Sequence, residues 1–338
     1  TMTNEGEVEI NNGSIQAFEN PALINNGTFI MGSDDGEVSS TNIRIVSEVK
    51  AVENNGTFKM YDGYIQGNPT IEGEINVIAD FARIYTERDD QTERKHLQSL
   101  SEESIKKGET ELILTIDPAS GVYKGSKEET IVYLKHQEAY EVEEPTKNGC
   151  EFVGWTISEV SVYDEETKTV RMNLSDVRMT AEWRVSEAAV AKIGEEYYTS
   201  VSEAIAGAKE GDIVEVFKDV EEDVTNTKNI TMDLGGNTIK GTFVNEGILK
   251  VLNGTIENEN GIGLLNKKTL TLGENDGDVS IDTVKIIGKE IGLQQDGKFN
   301  FYDGYIEGDV SLNGKTDSLP KGYFLYIEHN NEKDCQRV

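Results

Sequence analysis

The sequence predicts an all-β chain in which right-handed parallel β-helix modules flank a small β-grasp-like domain, with one short capping helix. Three observations lead there. The start of the chain matches its end at a fixed offset. Brief runs of alternating apolar and polar residues recur about every 20 residues. Asn-Gly and Asp-Gly pairs separate them, in a chain with 33 Gly and only 5 Pro, as expected for many short strands joined by tight turns.

The offset is 241 positions, without a gap. Asn4-Glu5-Gly6 falls on Asn245-Glu246-Gly247, and Asn12-Gly13-Ser14-Ile15 on Asn253-Gly254-Thr255-Ile256. The run from Phe58 to Gly67 falls on Phe299 to Gly308, and the register still holds at Tyr85/Tyr326 and Glu87/Glu328. Residues 1–97 and 245–338 are therefore read as two copies of one module. The first is the C-terminal part of a β-helix, the second belongs to a module spanning 185–338, and the parent is expected to be a tandem array.

Within each copy, Asn/Asp-Gly-x-Ile turns appear at Asn12, Asp62, Asn253 and Asp303. Around them lie alternating runs such as Ile230 to Leu234, Ile248 to Leu252 and Lys298 to Phe301. Alternation puts one side in and one side out. Short strands at one-turn spacing favour stacked parallel coils over an antiparallel sandwich, the competing architecture.

A stacked coil has open ends that need covers. Ser200 to Ala208 reads as a short amphipathic helix with Ser200 and Glu203 as a capping box and Val201, Ala204, Ile205 and Ala208 as its apolar stripe. With Ala191 to Gly194 and Gly211 to Val214 around it, this segment resembles the entry to β-helix domains of Gram-positive gut bacterial surface proteins. At the far ends, Ile84 to Glu87 and Leu325 to Glu328 precede the polar turns Arg88-Asp89-Asp90 and His329-Asn330-Asn331, which fits closing hairpins. Residues 98–109 are polar and read as a linker.

Residues 110–184 belong to neither copy. Leu112 to Ile116 and Thr130 to Leu134 alternate as strands, followed by Pro145-Thr146-Lys147-Asn148-Gly149-Cys150-Glu151-Phe152-Val153-Gly154-Trp155 and a terminal Thr180 to Trp183. The spacing Pro-x-x-x-Gly-x-x-Phe-x-Gly-Trp resembles the internalin B-repeat, or Listeria–Bacteroides repeat, except that Cys150 replaces an aromatic residue. The resemblance implies a small β-grasp-like fold serving as an extracellular spacer or weak interaction module. Phe152, Trp155 and Trp183 are the expected core of this small domain.

Acidic residues outnumber basic ones 63 to 32, for a net charge of -31. That excludes nucleic acid, which is bound through Lys and Arg on phosphate, and an anionic membrane surface. Two cysteines, Cys150 and Cys335, are too few for a disulfide framework and are expected to be free thiols. No segment reaches the ~20 apolar residues of a membrane span. The expected setting is extracellular, on a Gram-positive cell wall, as a monomeric part of a longer adhesin or stalk whose partner is a surface glycan or protein.

Signs of catalysis are sparse. His96, His136 and His329 form no zinc spacing, and neither a nucleophile elbow nor a phosphate loop occurs. No cofactor is expected, with Ca²⁺ the one candidate. Its candidate ligands are Asp34 and Asp35, beside Glu37, in one copy and Asp276 and Asp278 in the other, all in sequences that also read as solvated turns. Tyr61, Tyr64, Tyr302 and Tyr305 are the candidate glycan contacts, since rings at alternate positions stack on sugars or equally on neighbouring coils. β-Helix polysaccharide lyases raise an enzymatic alternative, but fold analogy alone does not establish activity.

Overall fold

In the computed structural model, which describes residues 1–88, 92–280, 282–330 and 333–338, strand covers 51% of the chain and helix 5%. The chain is all-β with parallel sheets. It divides into two compact units, one of residues 1–119, 123–144 and 155–181, the other of residues 120–122, 145–154 and 182–338. The small domain expected over 110–184 is thus shared between them.

The first unit opens with a three-sided solenoid. One face stacks Met2–Asn4, Leu23–Asn25, Val52–Asn54 and Ile71–Glu72 in parallel register. The second stacks Glu7–Ile10, Thr28–Met31, Thr57–Met60 and Val77–Ile78, and the third Gly13–Ala17, Ile43–Ser47 and Tyr64–Gly67. Every third strand is a neighbour, so one coil gives one strand to each face. Alternation places Phe29, Met31, Phe58 and Met60 fully inside, with Phe29 stacked on Phe58 at 5.4 Å.

The second unit repeats this design. Its faces stack Phe243–Asn245, Ile262–Asn266 and Ile291–Gln295; Ile248–Leu252, Thr269–Leu272 and Lys298–Phe301; and Gly254–Asn258, Val284–Gly288 and Tyr305–Gly308. Displacement by 241 lays Thr28–Met31 on Thr269–Leu272, Ile43–Ser47 on Val284–Gly288, and Tyr64–Gly67 on Tyr305–Gly308 with the same bounds.

One corner of each coil is built on a buried amide. Asn4 Nδ2 donates to Asn25 Oδ1 at 2.8 Å, Asn25 to Asn54 at 2.7 Å and Asn54 to Asn76 at 3.3 Å. In the second solenoid Asn226 donates to Asn245 at 2.9 Å, Asn245 to Asn266 at 2.7 Å and Asn266 to Gln295 Oε1 at 2.6 Å. The same amides bind corner backbone, as when Asn25 Nδ2 also donates to the Thr57 carbonyl at 3.0 Å. Two residues on, Gly27 and Gly56 pass so close to the coil below that a Cβ would overlap the Gly6 and Gly27 carbonyl oxygens.

The solenoid ends are closed as expected. Helix α2, Val201–Gly207, buries Val201, Ala204 and Ile205 over the first coil. Only half of the capping box forms. Ser200 Oγ accepts from Glu203 N at 3.0 Å, whereas the Glu203 carboxylate takes the Thr199 hydroxyl and Glu222 accepts the Val201 and Ser202 amides, each at 2.9 Å. Ala191–Ile193 pairs antiparallel with Ile213–Val216 beside it. The last coils end in hairpins, Ala82–Arg88 with Glu93–Ser99 and Tyr326–Asn330 with Lys333–Arg337. Of their tips, Asp89, Asp90 and Asn331 lie outside the described residues. The stretch expected as a linker, 98–109, instead holds helix α1, Glu102–Lys106, capped by Ser101 and carrying Glu102–Lys106 and Glu103–Lys107 pairs. Glu–Lys spacing of four residues is what makes so polar a stretch helical.

The insert forms a mixed sheet in the order Thr130–Leu134, Leu112–Asp117, Val177–Val185, Cys150–Ile157. Leu112–Asp117 is antiparallel to the first and parallel to the third. Its core differs from expectation. Leu114, Ile116, Val170, Met172, Met179 and a fully buried Tyr123 make it, while Phe152, Trp155 and Trp183 are only half-buried. Val177, Met179 and Ala181 point inward, and by Trp183 the strand has run past the core.

Two predictions follow from this packing. Asn25→Ala strands one amide hydrogen of Asn4 and leaves the Asn54 oxygen only the Gly56 amide, at about 1–3 kcal/mol for a buried group left unpaired. The exposed neighbour Asn26→Ala is its control, and chemical denaturation showing equal losses for both would refute a structural ladder. In the insert, Tyr123→Ala is expected to cost ~3–5 kcal/mol, as for other buried aromatics, and Trp155→Ala clearly less; the reverse ranking in thermal melts would return the core to the tryptophans.

Candidate functional site

The sequence singled out two sets of acids. Asp34, Asp35 and Glu37 occupy the exposed turn after Thr28–Met31, and Asp276 and Asp278 the matching turn after Thr269–Leu272. Asp35 Oδ1 accepts from Glu37 N at 3.1 Å and Asp276 Oδ1 from Asp278 N at 3.0 Å. These carboxylates close their own turns. Among the described residues no group of three or more His, Cys, Asp and Glu is arranged to hold a metal ion.

A buried acid that the sequence placed in a turn organises each loop. Asp62 is 8% exposed and accepts from Ser39 N at 2.5 Å; Asp303 is 6% exposed and accepts from Ser280 N at 2.7 Å. The next residue completes the latch, with Gly63 N donating to the Ser39 carbonyl and Gly304 N to the Ser280 carbonyl. Burial pushes the Asp62 carboxyl above its usual range, opposed by the Ser39 amide. Gly is required, because at φ +81° and +88° a side chain on Gly63 or Gly304 would also meet the Ile43 or Val284 carbonyl.

The four tyrosines are half-buried rather than displayed. Tyr61 packs on the first solenoid's core. The Arg94 guanidinium covers the Tyr64 ring at 4.6 Å, and Lys285 lies over Tyr305 at 5.5 Å. Burial, reinforced by Glu307, raises the Tyr305 phenol. Tyr302 is the remaining member, held in the turn by a bond from its amide to the Leu272 carbonyl at 2.9 Å. Cations of the same module therefore occupy ring faces that a sugar would need.

The histidines are dispersed. His96 lies tilted against Tyr85, ring centres 5.3 Å apart, and burial lowers its pKa. His136 Nδ1 lies 2.5 Å from the Asn173 carbonyl, and His329 Nδ1 2.6 Å from Asp334. Cys150 and Cys335 are free thiols, the latter raised by burial.

A feature absent from the sequence reading is a groove of about 650 Å³ along one edge of the second solenoid. Three successive coils supply Glu221 and Asp223, then Lys240, then Asn258 and Asn260. Asp223 Oδ1 accepts from Thr242 N at 2.6 Å, and Lys240 Nζ reaches Glu259 at 3.0 Å and Glu257 at 3.9 Å. The lining offers amides, carboxylates and one ammonium that its acidic neighbours hold charged. Only the stacking of coils 19 residues apart, as at Lys240 and Glu259, brings these groups together.

No protein-family model, curated protein or solved structure matches the chain.

Calcium tests the acidic turns. A ligand that binds only the folded state raises its stability, so millimolar Ca²⁺ is expected to leave the melting temperature within about 1 °C. A larger rise that disappears in Asp276→Asn with Asp278→Asn would make that turn a calcium site.

Proposed function

We propose that this chain is a non-catalytic, repetitive segment of an extracellular surface protein, an adhesin or stalk of Gram-positive type, with an internalin B-repeat-like spacer between its solenoids. The single observation behind the reading is the 241-residue repetition of fold, corner ladder and closing hairpin. Selection for a reacting centre maintains a few side chains at one point. Repetition of whole coils instead serves length and a uniform surface. The charge of -31 favours solubility and mutual repulsion.

A carbohydrate-binding module is the second reading, favoured by the polar groove at Glu221, Lys240 and Asn260. Amide and carboxylate groups at a solenoid edge suit sugar hydroxyls, and the partner under either reading is a surface glycan or protein. An enzyme is disfavoured by how the acids are used. Glu222 binds two helix amides and Asp223 a third amide, so neither is a free proton donor of the kind glycosidic cleavage needs.

The test has two arms. Incubation with pectin, polygalacturonate and mucin glycans, with Ca²⁺ present, is expected to release no reducing or unsaturated ends; release abolished by Asp276→Asn or Asp278→Asn would overturn the non-catalytic reading. On a glycan array, binding lost in Lys240→Ala would replace the stalk with the carbohydrate-binding module.

A further inference from the structure

Both modules end in the same hairpin, but with different surroundings. Tyr85 stands opposite His96 in the first and Tyr326 opposite Arg337 in the second. Each hairpin lies antiparallel on the last coil in the same register, His96 beside Tyr64 and Arg337 beside Tyr305.

In the first unit the hairpin face is covered by the insert. The Tyr133 ring meets Tyr85 edge-on at 5.4 Å. Glu111 hydrogen-bonds the Tyr85 phenol and holds its pKa up to about 12. Arg83 Nη1 reaches both oxygens of Asp176, at 2.7 and 2.9 Å, and Asp176 Oδ1 also accepts from Ile113 N at 2.7 Å. Charge pairing, a hydrogen-bonded phenol and an aromatic contact together make a specific seat.

On the second hairpin the same positions are more exposed, with one face of the Tyr326 ring under the Arg337 guanidinium at 5.0 Å and the other free. Phe324 and Tyr326, at the insert-facing positions of Arg83 and Tyr85, are 73% and 48% exposed, and Tyr323 and Ile327, at the positions of Ala82 and Thr86 on the other side of the strand, are 44% and 50% exposed. The tyrosine is kept, and each of the three positions that differ exchanges a small or polar side chain for a large, more apolar one. Exposed large apolar side chains on both sides of one edge strand, in a protein otherwise so acidic, fit an interaction surface.

We propose that the segment Tyr323–Ile327, through its Phe324 and Tyr326 side, is a docking surface for a mixed-sheet module of the kind that residues 110–184 form, brought by another copy of the repeat. It seats an aromatic residue against Tyr326 as Tyr133 seats on Tyr85. Phe324 carries no charge, so the partner presents an apolar side chain where Asp176 stands. The joint between a solenoid and the next insert is then a packed contact rather than a free tether. The inference rests on the repeat and the bare face, and stands whether or not the chain is a surface stalk.

The test extends the full chain after Val338, which occupies the place of Leu97, with residues 98–184 carrying Asp176→Leu in the added copy. Amide exchange over 323–328 is expected to slow at least tenfold relative to the 338-residue chain. Unchanged exchange, with the added module folded by its own protected central strand, would overturn the proposal. A second arm needs no added module. The 338-residue chain is expected to bind an apolar fluorescent dye, and Phe324→Ser with Ile327→Ser to remove most of that signal; an undiminished signal also overturns it.

Discussion

A coil that stacks on another must bury one of its corners, and a buried corner leaves backbone amides and carbonyls out of reach of water. The Asn ladder answers that constraint. Each amide gives one hydrogen to the next side chain and another to corner backbone, as Asn245 does to Asn266 Oδ1 at 2.7 Å and the Thr269 carbonyl at 2.8 Å. Its oxygen in turn accepts the Gly247 amide at 3.2 Å. An uncompensated polar group in such a place is costly, so a coil without the amide would have to open its corner to solvent. The sheets, the aromatic stack inside and the hairpins outside all presuppose that the corner closes.

The substitutions between the two modules respect this. Asn54 becomes Gln295, which still accepts from the amide below. Asn76, which accepts the Phe58 amide at 2.7 Å, becomes Asp317, which accepts the Phe299 amide at the same distance. An acceptor oxygen is kept while its carrier varies. Interior positions are looser. Met60 and Phe301 share a site, as do Phe29 and Leu270, all fully buried. Volume lost in one layer is made up in the same layer or the next, and cores tolerate such exchange when patterning is kept.

The repeat and its strands were legible because alternation and Gly spacing are written in side chains. The corner was not. Asn25-Asn26-Gly27 and Asn54-Asn55-Gly56 look like solvated turns, and whether an Asn is buried depends on a coil 21 or 29 residues away. The usable signal was the recurrence of Asn-x-Gly at coil spacing rather than any one instance. The acids failed differently. Asp34 and Asp276 lie in acid-rich turns and drew notice, whereas Asp62 and Asp303 hide in Asp-Gly pairs, yet the latter two hold the loops. For the tyrosines the sequence left sugars and neighbouring coils as alternatives, because Arg94 and Lys285, which cover two of the rings, come from other strands. The groove has no linear motif at all, being assembled from three coils.

What differs between the copies is concentrated at their ends. In a solenoid each coil answers mainly to its neighbours, so the interior of one copy is a fair template for the other. A closing hairpin answers to the last coil on one side only, and its outer face answers to whatever packs on it, as Arg83 does to Asp176. Arg83 became, or arose from, Phe324 without disturbing the register of either hairpin. Such a change alters what the hairpin can hold while leaving how it folds intact. Interior coils are therefore the part of this chain in which sequence reports on stability, and the hairpin faces are where it reports on partners.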